Sequence, residues 1–380
     1  MKIDTSKTPN PEPMAEITTA PHDLPKLQNA LLGPLQRKRR MACLSILLSG
    51  LIIACLCHGA VSITVEQVVS ILGHQVHLTL PWPFEPKHEV ILYSIRLPRI
   101  LLGMLIGSGI ATSGAALQGL FRNPLADPGL VGVSSGAAVA AVAVIVLGST
   151  ALDFATKAIG PFALSVAAFV GGTATTFLVY KLSLVHGRVA VSTMLLAGVA
   201  INAIAGSIIG VFTFVADDTQ LRSLTFWSLG SLGGATWPAV ATTAPFIGLS
   251  VIALLRYARP LNALLLGEEE AGHLGYNVES MKRCIVLLVA LSVGTTVAVA
   301  GIIGFIGLVV PHLLRLILGP DHRLLLPGSA LLGASLLLGA DLVARLVVVP
   351  AELPIGIVTA LIGGPFFIYL LHSGRRLEGY

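Results

Sequence analysis

The chain has 380 residues; 54% are hydrophobic, only 11% are charged, the formal net charge is +5, and the mean hydropathy is +0.86. Soluble domains carry about 25% charged residues because their whole surface must face water, so this composition excludes a water-soluble globular protein and calls for lipid around it. The positive balance comes with no basic stripe and no aromatic platform, which excludes nucleic-acid binding.

In chain order, residues 1–40 read as a polar, Pro-containing, disordered cytoplasmic tail, too long and in part too acidic for a secretory leader. Ten segments then approach the roughly 20 apolar residues a membrane-spanning helix needs. They lie at 41–60, 97–120, 130–150, 161–182, 191–215, 237–257, 284–303, 305–319, 324–343 and 354–373. The expectation is therefore an all-α integral membrane protein with a ten-helix domain over 41–373 and a short cytoplasmic tail over 374–380. Gly and Pro interrupt 97–150 and 284–320, so eight or nine spans are an alternative count there.

Four connections are longer than the rest: 61–95, 121–129, 216–236 and 258–283. The second, Phe121-Arg-Asn-Pro-Leu-Ala-Asp-Pro-Gly129, is too polar and Pro-broken to continue a lipid-facing helix. Irregular backbone at membrane depth must be covered by protein or line a cavity, which places this stretch at an inner helix end or against a translocation path. Spans two to five and seven to ten form two four-helix blocks separated by one helix, so the blocks run in opposite directions, as in an inverted repeat. With an inward amino terminus, 18 of the 24 Lys and Arg fall on the cytoplasmic side, which satisfies the positive-inside rule. The exceptions are Lys87, Arg96, Arg99, Lys157, Arg222 and Arg345.

No catalytic constellation is present. The phosphate-loop pattern Gly-x4-Gly-Lys-Ser/Thr is missing, so the chain has no such device for ATP hydrolysis, and the spans are nearly bare of the ionisable groups that proton-driven transport requires. The four cysteines and ten histidines form no metal-ligand spacing, and no cofactor or metal is expected. Three features carry functional expectations instead. Arg96, Arg99 and Arg345 lie at outer span ends, either as interfacial anchors or as a basic surface for an acidic partner. The inner stretch Glu268, Glu269, Glu270, Ala271, Gly272, His273, Leu274, Gly275 reads as a short glycine-stopped helix, either a solvated loop or a lever seated in a cytoplasmic partner. Val191 and Ser192, at the inner start of span five, read as helix packing or as a pore constriction.

Taken together, several stretches resemble the permeases of vitamin B12, ferric-siderophore and haem importers. They are Ile95-Arg-Leu-Pro-Arg99, Ser113 through Gly129, Leu195-Leu-Ala-Gly-Val199, Ala300 through His312, Asp321-His-Arg-Leu-Leu-Leu-Pro-Gly328 and Ala351-Glu-Leu-Pro-Ile-Gly356. The resemblance implies a type II ABC importer permease fold and a homodimer with the path at its interface. It also implies two cytoplasmic ATPase subunits, a periplasmic binding protein and a bacterial inner-membrane location. In the same way it implies that Arg96, Arg99 and Arg345 dock the binding protein, that Glu268–Gly275 couples to the ATPase, and that Val191 and Ser192 form the cytoplasmic gate. The gate stretch departs from relatives richer in hydroxyls. The 216–237 stretch looks most like the haem branch, with ferric siderophores and cobalamin as alternatives; a stand-alone channel or structural membrane protein is the alternative of another class.

Overall fold

The computed structural model describes residues 33–378 except 79, 186, 187 and 350. Sixteen α-helices dominate the described residues. Ten occupy the expected spans: α1 (Pro34–Cys57), α4 (Leu97–Leu120), α5 (Val133–Leu147), α7 (Ala163–Leu182), α8 (Val191–Val215), α10 (Trp237–Arg256), α13 (Val278–Ala300), α14 (Ile306–Leu318), α15 (His322–Leu346) and α16 (Ile355–Glu378). Seven of the helices are long and apolar enough to cross a bilayer by themselves, and α5, α14 and the Ile355–Ile368 part of α16 are shorter apolar helices.

The expected tails differ at their edges. Helix α1 already begins at Pro34, where proline opens a first turn without losing a hydrogen bond, while residues 1–32 lie outside the described residues. At the other end α16 runs to Glu378, through most of the stretch expected as a tail over 374–380.

The connections hold more structure than their composition announced. In 61–95, α2 (Val65–Gln75) is opened by a capping box between Thr64 and Gln67, and α3 (Pro86–Ile91) passes through one π-helical stretch, Leu92–Arg96, straight into α4. In 148–162 lies α6 (Asp153–Ile159). In 216–236, α9 (Asp218–Ser228) starts on a second capping box, Asp217 with Gln220. The inner loop carries α11 (Ala258–Leu264) and α12 (Glu268–His273). A two-rung antiparallel pair, β1 (Leu184–Val185) with β2 (Arg188–Val189), precedes α8.

Helix α4 is the hub, packed by α10, α13, α14 and α15. Its most apolar stretch is 78% buried, against 11% for that of α8. Small residues make this possible, since close backbone approach is what holds membrane helices together. A methyl added at Gly107 would lie 2.3 Å from the Gly333 carbonyl oxygen of α15, and one at Gly333 would lie 2.3 Å from that of Gly107. Gly136 of α5 and Gly171 of α7 make the equivalent contact.

The inverted repeat is visible in how the blocks pack. In the first block the short helix α5 follows an irregular segment and packs on α7; in the second the short helix α14 follows Gly301–Phe305 and packs on α15. Each entry into a short helix uses left-handed backbone, at Gly132 (φ +81°) and at Phe305 (φ +69°). The polar segment 121–129 satisfies its own backbone, with Asn123 Oδ1 accepting from Leu125 N at 2.9 Å and Asp127 Oδ1 from Gly129 N at 2.7 Å. That self-sufficiency is what membrane depth demands.

Filling the α4–α15 contact should be costly. Gly107→Val is expected to lose about 1–3 kcal/mol by overpacking and to lower the thermal midpoint of the detergent-solubilised protein. Gly248→Val on α10, where an added methyl meets nothing within 4 Å, should leave that midpoint in place.

Candidate functional sites at the two ends of the bundle

At one end the three candidate arginines converge. The π-helical stretch turns Arg96 inward, where its guanidinium donates to the carbonyls of Leu56 and Val61. Arg99 binds Asp341 through Nε and Nη2, at 3.0 and 2.9 Å, and Glu352 through Nη1 at 2.9 Å. Arg345 Nε lies 3.1 Å from the other oxygen of Asp341, an ion pair without hydrogen-bond alignment. The side chains of Arg99, Asp341 and Arg345 are 8%, 3% and 9% exposed, whereas that of Glu352 is 44% exposed. An open basic surface made of all three arginines is therefore not what the fold builds. Arg96 and Arg99 are buried and partnered within the chain, because a charge taken from water needs an internal counter-charge or hydrogen bonds. What remains open is a cavity of about 290 Å³ whose wall includes Arg96, Arg99, Arg345 and Glu352.

At the other end the acidic stretch folds as expected of a short helix. Glu268, Glu269 and Glu270 form the first turn of α12, the favourable end for negative charge, and Gly275 ends it at φ +87°. Gly272, His273, Leu274 and Gly275 are exposed, and so are the apolar side chains of Leu265 and Leu266. Leu265 and Leu266 thus stand in the open beside a run of carboxylates.

Val191 and Ser192 open α8, half-buried and exposed respectively. The structure joins them to α12 through residues that the sequence reading passed over. Lys282 of α13, its side chain only 4% exposed, donates to Glu268 Oε2 at 2.8 Å and to the Val189 carbonyl at 3.2 Å. One turn earlier Glu279 Oε1 accepts from Val189 N at 2.8 Å. Both backbone groups of Val189, two residues before α8, are thus gripped by α13. A Glu and a Lys three apart near a helix start was the only signal available; Lys282 had counted merely as one more inner positive charge. Asp341 and Glu352, which organise the outer arginines, were likewise legible only as isolated acids.

Removing Asp341 should show how much the outer cluster depends on it. Asp341→Ala leaves two nearly buried guanidinium groups short of their counter-charge, which typically costs about 3–5 kcal/mol. Folded yield and thermal midpoint should fall sharply, while Glu352→Gln, at a half-exposed position, should cost no more than about 1 kcal/mol.

With this geometry in place, comparison with known proteins is informative. The model of the FecCD transport family matches residues 46–373. The hemin transport system permease protein HmuU of Yersinia pestis is 49% identical over 287 residues, covering 75% of this chain and 84% of that protein. The vitamin B12 import system permease protein BtuC of Shigella boydii is 41% identical over 345 residues, covering 90% and 97%. A solved structure described as a metal-chelate type ABC transporter in an inward-facing conformation superposes with a TM-score of 0.76 at 30% identity, covering 88% of this chain and 99% of that one. The ten-helix bundle with its inverted repeat is accordingly the type II ABC importer permease fold. The protein is not an enzyme; ATP hydrolysis belongs to a separate ATPase subunit. The chain belongs to the FecCD transport family and is a membrane-spanning permease subunit of an ABC importer.

Proposed function

We propose that this permease moves haem from the periplasm to the cytoplasm along the interface of a homodimer in the bacterial inner membrane. The hemin permease of Yersinia pestis supports haem over cobalamin by a narrow margin, being 49% identical over 287 residues against 45% over 285 residues for the cobalamin permease of Halobacterium salinarum. Ferric siderophore and cobalamin are the competing cargoes. Helix α8 supports the dimer: Leu196, Val211 and Phe214 are 71%, 64% and 89% exposed, and Leu361 and Ile368 of α16 are each 70% exposed. These are the fourth helices of the two blocks, an unpartnered pair that a second copy would cover. The predominance of Lys and Arg on one side supports a cytoplasmic position for both termini.

On this reading an acidic side chain of the periplasmic binding protein enters the cavity beside Arg345 and competes with Glu352 for Arg99. The ATPase seats against Glu268–Gly275 and the exposed leucines around it. The observation that carries the coupling is the Lys282 bridge, because a displacement of α12 pulls on Glu268, Lys282 and Val189 in turn and so on the gate at Val191 and Ser192. Hydrogen bonds to a charged group are worth about 1.5–3 kcal/mol, enough to shift a gate equilibrium roughly tenfold or more.

Two measurements follow. In proteoliposomes holding the permease, its ATPase and its binding protein, ATP-driven uptake should be fast for haem and at least tenfold slower for cobalamin and ferric siderophores; equal or reversed rates would remove haem as the cargo. Lys282→Met keeps the buried stem and leaves Glu268 free to meet water, so the complex should assemble and hydrolyse ATP. Haem moved per ATP should drop about tenfold, and an unchanged ratio would break the proposed link.

A further inference from the structure

Away from both ends, the outer wall of α7 and α13 holds a cleft of about 510 Å³ whose lining includes Phe169, Phe177, Tyr180, Arg283, Leu287 and Ala290. Helix α7 turns Gly171 and Gly172 toward α5 and the aromatic side chains toward the cleft. Phe169 lies against Gly294 of α13, and the short β pair that follows α7 brings Val189 to Lys282, so the two helices run antiparallel along the cleft. Eleven residues separate Phe169 from Tyr180, which at 1.5 Å per residue makes the cleft about 16 Å long. That is close to the hydrocarbon depth of one leaflet, about half of 30 Å.

Charge sits at one end only. Arg283 closes the cleft there, and Lys181 Nζ lies 4.9 Å from the Phe177 ring centroid at the same end. Both side chains are exposed, and neither has a carboxylate within 4.0 Å among the described residues. An apolar slot of one-leaflet length that ends in two unpaired cations is complementary to a single kind of molecule. We propose that the α7–α13 cleft binds an anionic phospholipid, with one acyl chain lying along Phe169–Phe177 and the phosphate held by Arg283 and Lys181. A guanidinium takes a phosphate through two parallel hydrogen bonds, and basic pockets between membrane helices favour anionic headgroups. The inference is independent of cargo and of the coupling bridge.

The test uses the full chain in nanodiscs made from equal parts phosphatidylglycerol and phosphatidylethanolamine of matched acyl chains, followed by native mass spectrometry of the released protein. Wild type should retain phosphatidylglycerol over phosphatidylethanolamine at least fivefold, and millimolar inorganic phosphate should not displace it. Lys181→Glu with Arg283→Glu should bring that preference to about one. Ala174→Phe, which fills the cleft from an exposed position, should reduce retention of both lipids. Equal retention by wild type overturns the proposal without any variant, as does an unchanged preference after charge reversal. Loss of a second protein copy rather than of lipid in Ala174→Phe would make the cleft a protein interface, and it too would overturn the proposal.

Discussion

A charge withdrawn from water has to find its counter-charge inside the fold, and the clusters around Asp341 and Lys282 each tie together segments that are far apart in sequence. Asp341 sits between Arg99 and Arg345, so it joins α4 to α15 at the outer end. Lys282 holds the acidic turn of α12 and the strand before α8 at the inner end. Neither cluster could be relaxed into lipid at acceptable cost, because hydrocarbon offers no hydrogen bonds. The ion pairs therefore act as fixed joints in a largely apolar bundle, alongside hydrogen bonds between elements such as Ser108 to the Ala330 carbonyl and Asn262 to Asp321.

Between the joints, the bundle is organised by backbone proximity. Glycine against glycine at α4–α15 and at α5–α7 sets the helix spacing, and α4 is buried on almost every side as a result. The cost of such a rigid centre is that movement must take place elsewhere. Helix α8 is the least buried of the seven long apolar helices; Met194 in its first turn is fully buried, Val189 just before it is held by Glu279 and Lys282, and Gly198 and Asn202 further along lie against Leu130 and Gly129. With the proposed gate at Val191 and Ser192, the lightly buried α8, tied through Val189 and Lys282 to α12, is the element placed to move; the buried α4 is not.

Much of this was legible in the sequence, for a physical reason. A span announces itself by composition over about 20 residues, and each of the ten expected segments overlaps a helix, the largest end differences falling at Pro34 (expected 41) and Val278 (expected 284). Short-range chemistry was legible too but passed over: Thr64 with Gln67 and Asp217 with Gln220 are capping boxes in stretches read as loops. Pairings across the fold were not legible. Arg99 and Asp341 are 242 positions apart, and Lys282 and Val189 are 93 apart. No periodicity records which helix faces which, so the sequence did not show that the arginines read as interfacial anchors or as a basic docking surface are largely enclosed and paired. The identity of the cargo is harder still, since an apolar path imposes little residue chemistry that distinguishes one large chelate from another.

The proposed route takes energy in at the α12 loop and carries it to Val191 and Ser192 through Lys282. The direct measurement is a pulsed electron–electron distance between spin labels at Ser192→Cys in the two copies of the dimer, with Cys43, Cys55, Cys57 and Cys284 replaced by alanine. Distances would be taken in the assembled transporter without nucleotide and with ATP trapped. The account predicts that ATP shifts the Ser192–Ser192 distance in this background and that adding Lys282→Met abolishes the shift while ATP still binds. An ATP-dependent shift of the same size in the Lys282→Met protein, or no shift in the background, would contradict it.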